Sequence, residues 1–241
     1  MYIIVHKIDW CIASYNNREE VDDMDNKKYI VIKADIINSR QSKDRNTVQK
    51  SLSKTLKTIN ETFSESIASR FMITSGDGFQ GLMTRGTHLF DIIQLLESSI
   101  APMKLRFGIG VGEVSTDIDN SNSAIIDGPS YHYADEMLTR VQEIEDQYAS
   151  ISTNILLKSN TEHDELLNAL LSMRYVVRSS WTTRQNEVIA AFIQMNEKQY
   201  ETAANLKVNQ STVSRALKST DYYSVKSAEI ALINYIEGTL L

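Results

Sequence analysis

The sequence predicts an α+β sandwich followed by a small all-helical unit, and three observations carry that expectation. Tyr29 to Ala34, Phe79 to Met83 and Leu105 to Gly112 are short runs of branched, aromatic or glycine-alternated residues bounded by polar turns, which is how strands read. Between them, apolar residues recur at gaps of three and four, the period of a helix with one buried side. From Trp181 onward the pattern reads as a succession of helices. The order strand, helix, hairpin, helix, strand, helix, strand describes an α+β sandwich with its helices on one sheet face. The expected divisions are an N-terminal arm or over-extended start at 1–27, a sheet domain at 28–160, a linking helix at 161–180 and a helical domain at 181–241.

Composition sets outer limits. The 241 residues are enough for one sizeable core and a smaller second one. A net charge of -6, from 25 basic and 31 acidic residues, argues against wholesale coating of nucleic acid but leaves room for a locally basic surface. Cys11 is the single cysteine, so a disulfide framework and a cysteine zinc site are both excluded. No apolar run approaches the roughly 18 to 20 residues that span a bilayer, and the start lacks a leader pattern. A cytoplasmic protein without a membrane partner is expected.

Taken in order, the first 26 residues hold an apolar run at Tyr2 to Val5 and a polar, acidic stretch from Asn16 to Asp25 that resembles a linker. The working protein starts either there or near Met24. Tyr29 to Ala34 is an interior strand that runs into Asp35, a charge that needs a partner where it sits. Val48, Leu52, Leu56, Ile59, Phe63 and Ile67 form one stripe of a long helix. Phe71 to Ile73 and Phe79 to Met83 flank a Gly76-Asp77-Gly78 tip as a hairpin. Leu89, Ile92, Ile93 and Leu96 mark a helix over about 87–98, and Pro102 punctuates it. In the strand at 105–112 the glycines at 108, 110 and 112 imply that something presses closely on one face, a helix or a nucleotide base. A helix from Asp127-Gly128-Pro129 to about Glu145, a strand at 151–158 and a helix at 166–173 complete the sheet domain.

Asp35 and Asp77 stand at the ends of apolar strands, and if those strands are neighbours the two carboxylates can share a divalent cation, with the Ile36 carbonyl as a third ligand. The amides around Asn38, Ser39 and Arg40, at the start of the long helix, would then face phosphate. The bland alternative is that Asp35 caps a helix and Asp77 occupies a turn. His132, near a helix start between Tyr131 and Tyr133, can bond phosphate or carry a proton, or can be a packed histidine. Arg106 is either a phosphate ligand or a strand-paired arginine.

These residues resemble the SatD family over about 28–218, and through it the palm of class III nucleotide cyclases and diguanylate cyclases over about 28–160. Ala34-Asp35-Ile36 matches the cyclase strand ending, Gly76-Asp77 its second metal aspartate, and Gly108-Ile109-Gly110-Val111-Gly112-Glu113 a third strand. The resemblance implies a ferredoxin-like palm holding magnesium or manganese and a nucleotide or related phosphate ligand. It also departs from the cyclases. Their asparagine and arginine on the next helix are replaced here by His132 and Glu136, and a glutamate adds negative charge where a transition state accumulates it. Arg140, Arg106, Arg40 or Lys33 would have to compensate, so catalysis is left open.

The C-terminal helices read as a helix-turn-helix. Thr182 or Thr183 caps the first, with Val188, Ile189 and Phe192 inside. The second spans about 197–206 and the third 210–218, with Ala203 at the crossing and Leu206, Val208, Val213 and Leu217 in the core. Asn209, Gln210, Ser211, Thr212, Ser214, Arg215 and Lys218 are the candidate contacts to double-stranded DNA. Lys207 replaces the usual turn glycine at some conformational cost. Few cations surround the third helix, so specific binding would need a homodimer. The last helix, about 227–235 with Ile230, Ile233 and Ile236, either offers that dimer surface or completes the domain core. Three functions follow: a transcription regulator binding DNA and a magnesium-bound nucleotide; a metal-dependent nucleotidyl- or phosphoryl-transfer enzyme; or an inert dimerising palm with a DNA reader.

Overall fold

The computed structural model describes residues 27–38, 45–74, 76–148 and 152–241. The expected N-terminal arm, Cys11, Ser39 and Arg40 lie outside the described residues.

Five strands, β1 (Tyr29–Ile36), β2 (Ile67–Ile73), β3 (Phe79–Met83), β4 (Leu105–Gly112) and β5 (Ile155–Lys158), make one mixed sheet in the order β2-β3-β1-β4-β5. β1 is antiparallel to β3 and β4, and β5 joins β4 in parallel. β1 takes the centre because both its faces are apolar: Ile30, Ile32 and Ala34 are buried on one side and Val31 on the other. Its strand continues through Asp35 and Ile36, opposite Arg106 and Leu105.

Helices α1 (Arg45–Thr62) and α2 (Leu89–Ile100) lay Leu52, Leu56, Ile59, Ile92, Ile93 and Leu96 on the face that carries Ile30, Ile32, Phe107 and Ile109. Full burial of each such side chain is worth about 1.5–3 kcal/mol, which holds this layer together. Ile67, expected on the α1 stripe, instead opens β2 opposite Met83. The helix stops at Thr62 and a tight turn at Ser64–Ser66 reverses the chain before the stripe is complete.

The helices do not share one face. α3 (Pro129–Tyr148) crosses the opposite side, over β4 and β1. A Cβ on Gly110 would lie 1.9 Å from the Ser130 carbonyl oxygen, and one on Gly108 2.0 Å from that of Ala134. The glycines therefore admit a helix backbone, and the sandwich has three layers, not two.

Each sheet edge is closed by an asparagine from a helix. Asn60 of α1 donates to the Phe71 carbonyl and accepts from the Phe71 N–H at 2.9 and 2.8 Å. Asn168 of α4 (Asp164–Ser179) does the same for Leu157 at 2.8 and 2.7 Å. These amides occupy backbone groups that a bare edge would offer to another strand.

α5 (Thr183–Gln194), α6 (Gln199–Leu206), α7 (Gln210–Ser219) and α8 (Tyr222–Tyr235) follow. Thr182 caps α5 in a reciprocal box with Gln185. Trp181, Val188, Phe192, Ala203, Val213 and Leu217 form a second core. α8 begins five residues earlier than the expected Ser227, because Tyr222 and Val225 are buried in that core. Farther along, Leu232, Ile236 and Leu240 enter the sheet core, with Ile233 packed against it. Of the stripe considered for a dimer surface, Ile233 and Ile236 are thus used internally while Ile230 is half-buried outside either core, and packing crosses the boundary expected at residue 181. Buried ion pairs reinforce the junction: Arg174 Nε to Glu229 Oε1 at 2.7 Å and Arg178 Nη2 to Glu97 Oε2 at 3.0 Å.

Candidate functional site

Strand register brings the first candidate site together. Ala34 pairs with Phe79, so Asp35 lies one step further, beside the turn that carries Asp77. Gly76 takes φ of 64° there, a conformation glycine adopts without strain, and Thr74 N–H donates to the Gly78 carbonyl to close the tip. Asp35 also faces Arg106 on β4, with Nε 3.6 Å from Oδ1, and Glu145 of α3 approaches the same Nε at 3.3 Å. The three facing atoms are buried and have no hydrogen-bond partner. Burial pushes the Asp35 carboxyl above its usual range; Arg106 opposes this, and the charges of Asp77 and Glu145 add to it.

The fit to a divalent cation rests on this donor set. Two carboxylates at one strand end, one of them held toward its neutral form by burial and by its neighbours, are stabilised by a hard cation. Arg106 already supplies one positive charge at the same place. Among the described residues no group of three or more His, Cys, Asp or Glu side chains suited to a metal occurs. Ile36 is the last residue of β1, and Asn38 follows exposed at φ 56°.

The other candidates of this set are elsewhere. His132 is exposed and contacts Asp127 at 3.0 Å. It stands 13 residues before Glu145 on α3, about 20 Å along a helix. His132 is therefore not part of the Asp35 site. Arg140 pairs with Glu143 on the exposed side of α3, Lys33 with Asp135, and Glu136 with Lys158. Glu145 is the residue sequence reasoning missed, because its approach to Arg106 depends on where α3 crosses the sheet and no local pattern marks that crossing.

The second candidate site is α7. Lys207 ends α6 in the left-handed conformation at φ 53° and ψ 44°, and the Val208 N–H returns to the Ala203 carbonyl. This turn sets α7 across α6 and α5. Val213 and Leu217 point inward, while Ser211, Arg215 and Lys218 share the outward face at helical spacing. Arg215 Nε donates to the carbonyl of Ser211 within its own helix. Among the described residues Lys207, Arg215 and Lys218 make no ion pair, whereas Lys198 is paired with Glu201. Gln210 is turned back onto Gln199. Asn209 precedes the helix, exposed and with no side-chain cap bond, and Thr212 and Ser214 are half-buried beside the outward face.

The architecture is that of a mixed α+β protein whose sheet unit and C-terminal helices share one junction. A sequence profile of the SatD family matches residues 29–230, so the chain belongs to the SatD family. Comparison with curated proteins gives no match. Among solved structures, the chain is similar to a regulator of polyketide synthase expression from Bifidobacterium adolescentis, with 11% identity, coverage of 95% of this chain and 85% of that one, and a TM-score of 0.28. No described helix is long and apolar enough to cross a membrane.

Proposed function

We propose that this SatD-family protein is a regulator that binds double-stranded DNA through a helix-turn-helix formed by α6 and α7. The observation that carries this reading is the outward face of α7, where Ser211, Arg215 and Lys218 stand together and the two cations form no ion pair among the described residues. A cationic and hydroxyl-bearing helix face of this kind suits the major groove, where guanidinium groups read guanine and hydroxyls meet phosphate. The test is fluorescence anisotropy with duplex DNA at several salt concentrations. Arg215→Ala should weaken binding by about 1–3 kcal/mol. A loss confined to some sequences makes Arg215 a base reader, and a uniform loss a phosphate contact. Unchanged affinity in an Arg215→Ala, Lys218→Ala double variant removes α7 as the DNA-binding element.

A second reading is favoured by the meeting of Asp35 and Asp77. The run β1-α1-β2-β3-α2-β4 and its strand order support a ferredoxin-like palm, and we read the aspartate pair as a magnesium or manganese site serving a nucleotide or related phosphate ligand. Asp35 and Asp77 would hold the ion, which supplies the positive charge a phosphate needs. Calorimetric titration of ATP and GTP with magnesium tests it: the heat should be lost in Asp35→Asn, Asp77→Asn. Equal heat in both proteins eliminates the pair as the site.

A further inference from the structure

A cavity of about 570 Å³ lies at the junction between the sheet unit and the C-terminal helices, with Ile37, Lys104 and Leu105 of its wall adjoining the strand ends that carry Asp35 and Arg106. Its walls come from α2 and the start of β4 on one side and from α4 and α5 on the other. The size is that of a small-molecule pocket, and the wall mixes apolar surface with polar and charged side chains. Three cationic side chains, Lys104, Arg174 and Arg178, line it against one carboxylate, Glu97. Glu229 stands behind Arg174. The balance of the wall is positive.

Two wall residues are incompletely bonded. Arg174 is 3% exposed, spends Nε on Glu229, and has Nη2 without a partner. Asn154 is 5% exposed and donates Nδ2 to Glu97 at 2.9 Å, which fixes the orientation of its amide and leaves Oδ1 as an acceptor without a donor. Both spare atoms, one donor on a cation and one acceptor, are closed to solvent, so an occupant meets them only after a small movement of the Arg174 and Asn154 side chains. Trp181 and Tyr175 add flat surface, with the Arg178 guanidinium 5.1 Å above the Trp181 ring.

We propose that this cavity is a binding site for a small ring-bearing organic acid that also carries an N–H or O–H donor. The anionic group faces the arginines, the donor faces Asn154, and the ring lies against the Trp181 and Tyr175 wall. Because the walls belong to both units, an occupant contacts the sheet layer and the base of α5 at once, which is where an effector would act on the orientation of the C-terminal helices. The assay needs neither DNA nor a divalent ion, so its outcome is independent of the readings above.

The probes are 4-hydroxybenzoate and anthranilate, each beside its neutral amide. In a Trp10→Phe chain, Trp181 is the remaining tryptophan, and its indole N–H resonance reports occupancy. Both acids should shift that resonance saturably, and the amides should bind at least tenfold more weakly. Ser98→Phe, at an exposed wall position, should weaken the acids at least tenfold with an unchanged circular dichroism spectrum. Arg174→Lys should do the same where the variant folds. No saturable shift from either acid at millimolar concentration, equal binding of acid and amide, or indifference to Ser98→Phe would each overturn the proposal.

Discussion

Gly110→Ala is the substitution from which most can be learned, since it tests a very close approach of a helix backbone to the sheet. The new Cβ would sit 1.9 Å from the Ser130 carbonyl oxygen and 2.7 Å from the Ala134 nitrogen, both main-chain atoms of α3. To reach ordinary contact at 3.4 Å the helix must retreat by about 1.5 Å, and no side-chain rotation can substitute for that movement. Overpacking of a flexible wall costs about 1–3 kcal/mol, so a rigid one should cost about 3 kcal/mol or more. At the usual conversion for a chain of this length the melting temperature falls by about 6–12 °C. Gly112 is the control: it shares the strand and the face, yet its nearest neighbours are at 3.4 Å. Gly112→Ala should be neutral or gain about 0.5 kcal/mol by restricting the unfolded chain. Urea unfolding of the two variants, followed by circular dichroism, gives the comparison. If their stabilities differ by less than about 1 kcal/mol, the glycines do not seat α3 and the packing argument fails.

Three further outcomes can be checked with the same protein. Lys207→Gly should stabilise the fold by a few tenths to about 1 kcal/mol, since relief of the left-handed strain outweighs the added freedom of the unfolded chain; a loss of stability would show that Lys207 makes a compensating contact. Because the Asp35 carboxyl is raised from its ordinary 3.8, the folded state holds its proton longer than the unfolded one. Its contribution is complete below that ordinary value and declines as pH rises through the raised one. In chelator, wild-type protein should therefore show a falling component of stability across the acid range that Asp35→Asn lacks, and identical pH profiles would remove Asp35 as the group responsible. Arg174→Met should cost about 3–5 kcal/mol by leaving buried Glu229 with only the longer 3.8 Å contact to Arg178 Nη1, whereas Arg174→Met with Glu229→Met should recover most of it; equal losses in denaturant titrations would mean that packing, not charge, holds this junction.

Much of the sheet was legible because its strands are short and each carries a local mark. The bounds of β3 and β4 follow from apolar runs ended by glycine and polar turns, and both match the structure. Ile67 was misread for a physical reason: its spacing continues the α1 stripe, and neither glycine nor proline marks the reversal at Ser64–Ser66. The placement of α3 on the opposite face was written in Gly108 and Gly110, but a nucleotide base would have required the same glycines. Asp35 and Asp77 could be paired from motif and strand order, whereas Glu145 could not, since its approach to Arg106 depends on where α3 crosses. The α7 face was legible from helical period alone. The junction cavity was invisible because residues from four separate stretches of chain meet there only after both units have packed.

The path of α8 has a consequence for how the protein is made. The sheet's last strand ends at Lys158, yet Leu232, Ile236 and Leu240 belong to its core. During synthesis the sheet layers emerge well before the residues that finish them, so the earlier part waits on the ribosome with an apolar gap open to solvent. Completion is a late event that fastens both units together, and unfolding should be a single transition. The two halves are accordingly poor material for exchange between proteins: a sheet unit cut at residue 180 lacks part of its own interior, and a transplanted helical unit carries an apolar tail with no sheet to receive it.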